Sequence, residues 1–281
     1  MKVTYITPIY KTGLYNIKML YKCLLKQTND NWIWVIYNDN TEEDLDLAVD
    51  EIRSWNNDKV IFIDHENTGF GKGTGPAKHI AFKKAEEFVD RKDSKIFCEV
   101  DSDDLIPEYC TQTILDAYKN TKFEFLHGDT IILKSELEPE KRGYSKIEEF
   151  VHPVFGYYET ADCIYSYINY NDLATYKNMM NIRCYDRSFY KKIGGFDQNV
   201  LYGEDCDIAF RVLTNAERIV YVKKQMYFYN YNGNGCSSKI DIDDTYNKIF
   251  EKNKEILNEW KNSKMQTIED NAEYMLYKNI K

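Results

Sequence analysis

Residues 96–107 read IFCEVDSDDLIP, and three aspartates, Asp101, Asp103 and Asp104, fall within four positions directly after a short apolar run. A run of that length and composition predicts a buried strand that ends at the acids. Like charges this close repel, so something must hold them together. One reading is a solvated acidic turn in which Asp104, ahead of Pro107, caps a helix. The other is a divalent cation site: Mg²⁺ or Mn²⁺ uses one or two protein carboxylates and takes its remaining ligands from water and phosphate oxygens. The segment is not an EF-hand loop, because its sixth position is Ile106 and not glycine.

Working outward, the first hundred residues alternate strand and helix patterns. Residues 2–9, 32–37, 60–63 and 94–100 predict strands; 15–26, 44–55 and 77–89 predict helices. Such alternation implies a mostly parallel sheet flanked by helices, with ligands beyond the carboxyl ends of the strands. The Asn38–Asp39 turn, the glycine-rich loop NTGFGKGTGP and the aspartates all fall on that edge. From 106 to about 240 the pattern is mixed and rich in tyrosine, with a helix expected at 109–119 and a strand at 123–133. The stretch 241–281 predicts a helical extension, with one apolar stripe on Ile249, Phe250, Ile256, Leu257 and Trp260. A second stripe falls on Met265, Ile268, Ala272, Met275 and Leu276. The division expected is 1–105 for nucleotide binding, 106–240 for the acceptor side of the same catalytic domain, and 241–281 as an extension offering a homo-oligomer contact.

Two further stretches carry chemistry. The loop GFGKGTG fits neither the P-loop pattern nor G-x-G-x-x-G, so it reads as a βα connection whose backbone N–H groups approach an anion. In RCYDRSFYKKIGGFDQNVLYGEDCDIAFRV, residues 183–212, Glu204, Asp205 and Asp207 place three more acids in four positions at the start of a helix. An acidic first turn suits the helix dipole. That accounts for one or two of the acids, and a carboxylate at a pocket wall is also a competent general base.

The chain has 281 residues, 43% of them hydrophobic, and a formal net charge of −9. That balance argues against nucleic acid as a partner, since phosphate contacts need clustered Lys and Arg. Seven cysteines without a C-x-x-C pair, together with an N-terminus unlike a signal peptide, predict free thiols in a reducing cytoplasm. No stretch approaches the ~20 apolar residues of a membrane-spanning helix.

Together these motifs resemble the family-2 glycosyltransferases, inverting enzymes of the A-type nucleotide-sugar transferase fold. VTYITPIYK is similar to the family's first strand and nucleotide loop, and LYKCLLKQTNDNWIWVIYNDNT to its first helix and second strand. NTGFGKGTGPAKHIAF is similar to the segment before the third helix, EVDSDDLIP to the metal and donor motif, and RSFYKKIGGFDQNVLYGEDCDIAFR to the motif that carries the base. The resemblance covers residues 1 to about 231. It implies an α/β A-type fold and a non-processive transferase, since no Q-x-x-R-W follows the base. It further implies a UDP-sugar donor, Mn²⁺ or Mg²⁺, and a glycan, lipid-linked or protein-linked acceptor. Thr7, Pro8, Tyr10 and Asp39 would hold the nucleotide, with Lys78 in place of the family's arginine. Asp101 and Asp103 would hold ribose and metal, and Asp103 or Asp104 would be the direct metal ligand. Asp205 would be the general base and Glu204 would orient it. A phosphohydrolase of the haloacid type and a non-catalytic nucleotide-sugar-binding module are the rival readings.

Overall fold

The computed structural model describes residues 1–10, 14–39, 46–64, 73–133, 145–151, 158–164, 181–230, 244–245, 247–255 and 275–277. The strand pattern of the first half is realised almost residue for residue. β1 (Lys2–Ile9), β2 (Trp32–Asn38), β3 (Val60–Ile63) and β4 (Ser94–Glu99) alternate with α1 (Leu14–Leu25), α2 (Asp46–Ser54) and α3 (Thr74–Phe88). They are followed by α4 (Cys110–Thr121), β5 (Phe125–Ile132), β6 (Ser145–Val151), β7 (Tyr158–Ile164), β8 (Arg183–Asp186), α5 (Arg187–Lys192), α6 (Glu204–Asn215), β9 (Ile219–Tyr229) and β10 (Met275–Tyr277). The described strands form one sheet in the order β10-β9-β5-β8-β4-β1-β2-β3, with β7 paired to β5 and β6 to β7. Strands β4, β1, β2 and β3 are mutually parallel, and β8 inserts antiparallel between β4 and β5.

Burial on both faces explains why β2 reads as the unbroken run WIWVIYN. Its side chains alternate between two cores: Trp32, Trp34 and Ile36 face one, and Ile33, Val35 and Tyr37 the other. Helices α1 and α4 cover the first core; α3, α5 and α6 cover the second. This layering brings the carboxyl ends of β1, β2 and β4 to one edge, and the antiparallel direction of β8 brings its first residue, Arg183, to that edge as well.

Two expectations need correction. Helix α3 begins at Thr74, three residues before Ala77, so Thr74, Gly75 and Pro76 belong to its first turn; proline is tolerated there because it has no N–H to lose from the helix ladder. Gly75 serves close packing. Its N–H donates to the Leu201 carbonyl at 3.3 Å, and a Cβ at this position would lie 1.8 Å from the Val200 carbonyl oxygen. Gly75→Ala is therefore expected to lower stability by several kcal/mol, because a backbone carbonyl cannot step aside as a flexible side chain would. A thermal melt of that variant checks it, and an unchanged midpoint would refute the contact. The earlier part of the glycine loop, residues 67–72, lies outside the described residues, as does part of the tyrosine-rich stretch 156–170.

The second correction concerns the extension. Residues 244–255, with 246 outside the described set, are helical, and this segment packs on α6 through Ile249 and the Phe210–Phe250 ring pair at 6.5 Å. Met275 and Leu276, read as part of a helical stripe, lie instead on β10, which pairs in parallel with β9. An open strand edge offers unpaired N–H and C=O groups, and β10 takes up those of β9. The rest of that stripe, and with it the expected oligomer contact, lies outside the described residues. Among the described residues no helix is long and apolar enough to cross a membrane. The five cysteines with described side chains, Cys23, Cys98, Cys110, Cys184 and Cys206, are buried free thiols.

Candidate active site

The aspartates at the end of β4 are held by β9. The Asp104 N–H donates to the Asp101 carbonyl at 3.2 Å, closing a turn, and Leu105 exchanges backbone hydrogen bonds with Phe228 at 3.0 and 2.9 Å. The Tyr227 hydroxyl accepts the Asp101 N–H at 3.0 Å, and Asp104 Oδ1 accepts the Asn230 N–H at 2.8 Å. Asp104 is fully buried, and its Oδ2 meets no hydrogen-bond partner among the described residues. Burial, and then the charges of Asp103 and Asp101, push the Asp104 carboxyl well above the usual range. Burial and Asp101 push Asp103 up to about 6. A divalent cation would relieve this repulsion and occupy an orphaned oxygen, so the donor set suits one. Among the described residues no three His, Cys, Asp or Glu side chains converge into a ready-made cage. The set therefore fits a cation that draws most of its ligands from water and phosphate.

The second acidic cluster opens α6, behind Gly203, whose φ of +74° is the left-handed turn that L side chains avoid. Its three acids have three different partners. Glu204 is buried, accepts the Thr74 hydroxyl at 2.5 Å on Oε2 and lies 3.0 Å from Lys78 Nζ on Oε1. Burial pushes its carboxyl up, against the pull of Lys78. The Asp205 side chain is 38% exposed; Oδ1 accepts the Cys206 N–H at 2.8 Å, and Oδ2 accepts from Arg183 at 3.3 Å. Asp207 is buried and turned away, paired with Arg211 at 2.6 Å and Lys252 at 3.0 Å.

One side chain joins the two clusters. Lys78 Nζ lies 2.6 Å from Glu99, 3.2 Å from Asp101 and 3.0 Å from Glu204, with the side chain 7% exposed. Burial disfavours its charge, but Asp101, Glu99 and Glu204 outweigh that and hold the ammonium protonated. Lys78 is thus engaged by carboxylates and is nearly closed to solvent, although the sequence places it at a donor-contact position.

Thr7 is also turned inward: it is fully buried, and its hydroxyl accepts the Trp34 indole N–H at 2.9 Å. A β-strand alternates its faces, and position 7 shares the face of Val3, Tyr5 and Ile9, which pack in the first core. Pro8 is half-buried and Tyr10 is 47% exposed at the open end of β1. Asp39 stands beside them, its N–H donating to the Ile9 carbonyl at 2.9 Å. Sequence reasoning missed Glu99 and Arg183. The signals were a lone acid inside an apolar strand and a lone arginine at the head of another. Only the β4–β8 register, which pairs Glu99 with Arg183, turns these into a contact.

No protein-family model and no curated sequence matches the chain. Solved structures do. S. aureus TarS 1–349 superposes with a TM-score of 0.60 at 17% identity, over 82% of this chain and 60% of TarS 1–349. The chain has the A-type glycosyltransferase fold. TarS 1–349 in complex with UDP-GlcNAc matches with a TM-score of 0.60 at 17% identity, over 89% of this chain and 64% of that one. GalNAc-T7 with UDP, GalNAc and Mn²⁺ matches with a TM-score of 0.52 at 12% identity, over 82% and 42%. The chain thus spans about 60% of the TarS 1–349 chain it matches.

Proposed function

We propose that the protein transfers one sugar from a UDP-sugar to a hydroxyl of a glycan, lipid-linked or protein-linked acceptor, with inversion at the anomeric carbon and without processive addition. The observation that carries the reading is the Lys78 ammonium, which binds Asp101 of the β4 cluster and Glu204 of the α6 cluster at once. Though far apart in sequence, the two clusters meet at this one ammonium; in this reading the β4 acids form the donor side and the α6 acids the acceptor side. The ligands in the matched structures, UDP, UDP-GlcNAc and Mn²⁺, support a uridine nucleotide and a divalent cation here.

In this reading Pro8, Tyr10 and Asp39 receive the nucleoside at the ends of β1 and β2, and Asp101 the ribose. Asp103, the less buried of the two candidate ligands, would hold Mn²⁺ or Mg²⁺, with Asp104 behind it. That cation, when bound, supplies charge neutralisation for the diphosphate and for the leaving UDP. Asp205 accepts the proton of the acceptor hydroxyl as its oxygen attacks the anomeric carbon. The bond from that carbon to the diphosphate oxygen breaks on the opposite face, and UDP departs. Glu204, with both oxygens engaged, orients the start of α6. A haloacid-type phosphohydrolase would need its nucleophilic aspartate at the end of β1, where this chain has Tyr10.

Isothermal calorimetry tests the donor side. UDP is expected to bind with Mn²⁺ present and to bind far more weakly in EDTA, because the acids repel a bare diphosphate. Equal affinity in both would contradict the metal assignment.

A further inference from the structure

Two buried cations, Lys78 and Arg183, have different work. Lys78 bridges the two acidic clusters, whereas Arg183 reaches the proposed base. Antiparallel pairing sets Arg183 directly across from Glu99. Its Nη1 donates to both Glu99 oxygens, at 3.0 and 3.2 Å, and its Nη2 donates to Asp205 Oδ2 at 3.3 Å. The Arg183 side chain is 5% exposed and Glu99 is fully buried, so Glu99 lies beyond the reach of a sugar or nucleotide. Burial works against both charges. For Glu99, Arg183 and then Lys78 outweigh it; for Arg183, Glu99 and then Asp205 do, so the pair is ionised.

A guanidinium is a rigid planar fork, and fixing one arm fixes the direction of the other. The Asp205 carboxylate is then held at two points, by Cys206 N–H on Oδ1 and by Arg183 on Oδ2. It remains partly exposed. We infer that Arg183, anchored by Glu99, is a positioning residue that sets the orientation of the Asp205 carboxylate. The inference rests on the transferase reading and adds to it the side chains that act on the base. A pair kept only for stability would leave turnover indifferent to the second arm of the fork.

Arg183→Lys separates the two. Lysine keeps the charge opposite Glu99 but has no second arm for Asp205. Measured as UDP release from a UDP-sugar with Mn²⁺, kcat is expected to fall about 10- to 100-fold, the cost of a misplaced reacting group. The KM for the donor should hold, and the variant should still unfold cooperatively, so that the loss in kcat is read on folded protein. In an Asp205→Asn background the same substitution is expected to have no further effect, since groups acting as a unit are not additive. Should Arg183→Lys not fold, Glu99→Gln combined with Arg183→Gln replaces the ion pair by a neutral pair that can still hydrogen-bond, and the same two readouts apply. Full kcat in the folded variant, or a loss that multiplies with that of Asp205→Asn, would overturn the inference. A wild-type protein that releases no UDP from any UDP-sugar would remove the transferase reading itself, and the role of Arg183 with it.

Discussion

Asp205→Asn is expected to reduce transfer by 10²- to 10⁴-fold, about 3–5 kcal/mol of barrier, while UDP and Mn²⁺ affinities stay near those of the unaltered protein. Asparagine keeps the shape of the side chain and its hydrogen bond from Cys206 N–H, and loses the capacity to accept a proton. The donor-side acids are untouched, because Lys78 reaches them from Glu204 and not from Asp205. Asp207→Asn is the internal control. Its carboxylate is buried against Arg211 and Lys252 on the far side of α6, so it should cost about 1–3 kcal/mol of stability and leave turnover alone. A steady-state assay on the two variants decides. Near-normal turnover in Asp205→Asn alongside an inactive Glu204→Gln would place the base one residue earlier.

Lys78→Met carries the largest expected effect on folding. It leaves the buried Glu204 and the partly buried Asp101 without the ammonium that neutralises them, and Glu99 with Arg183 as its one remaining cation among the described residues. Breaking a buried ion network by removing one partner costs about 3–5 kcal/mol, because the remaining charges stay desolvated. In a chain of this size that is a fall of roughly 10 °C in the melting midpoint. Calorimetric melting in EDTA measures it with no cation to substitute for the lost charge. A midpoint within about a degree of the parent would mean that the three carboxylates do not depend on Lys78.

The layout of the first half was legible because its strands are buried on both faces. Runs such as WIWVIYN and IFCEV have one reading, and the polar turns after them mark the edge where the site forms. The acidic clusters were legible for a related reason, since repulsion at that spacing calls for a compensating charge. The identity of that charge was not. Lys78 pairs with Glu99, Asp101 and Glu204, and these partners come from β4 and α6, where no local pattern reports them. Glu99 and Arg183 went unread for want of a register, which in an antiparallel pair is fixed only when both strands are in place. Thr7 shows the converse: a motif position that faces the core as the pleat dictates. Helical periodicity around Met275 gave way to pairing with β9, a contact set by the far edge of the sheet.

UDP release puts the transferase reading to its plainest test. The protein, incubated with a panel of UDP-sugars, should liberate UDP from at least one of them by slow transfer to water. The release should require Mn²⁺ or Mg²⁺, cease in EDTA and be lost in Asp205→Asn. Release that persists unchanged in EDTA, or no release from any UDP-sugar by a folded protein with Mn²⁺ present, would contradict that reading.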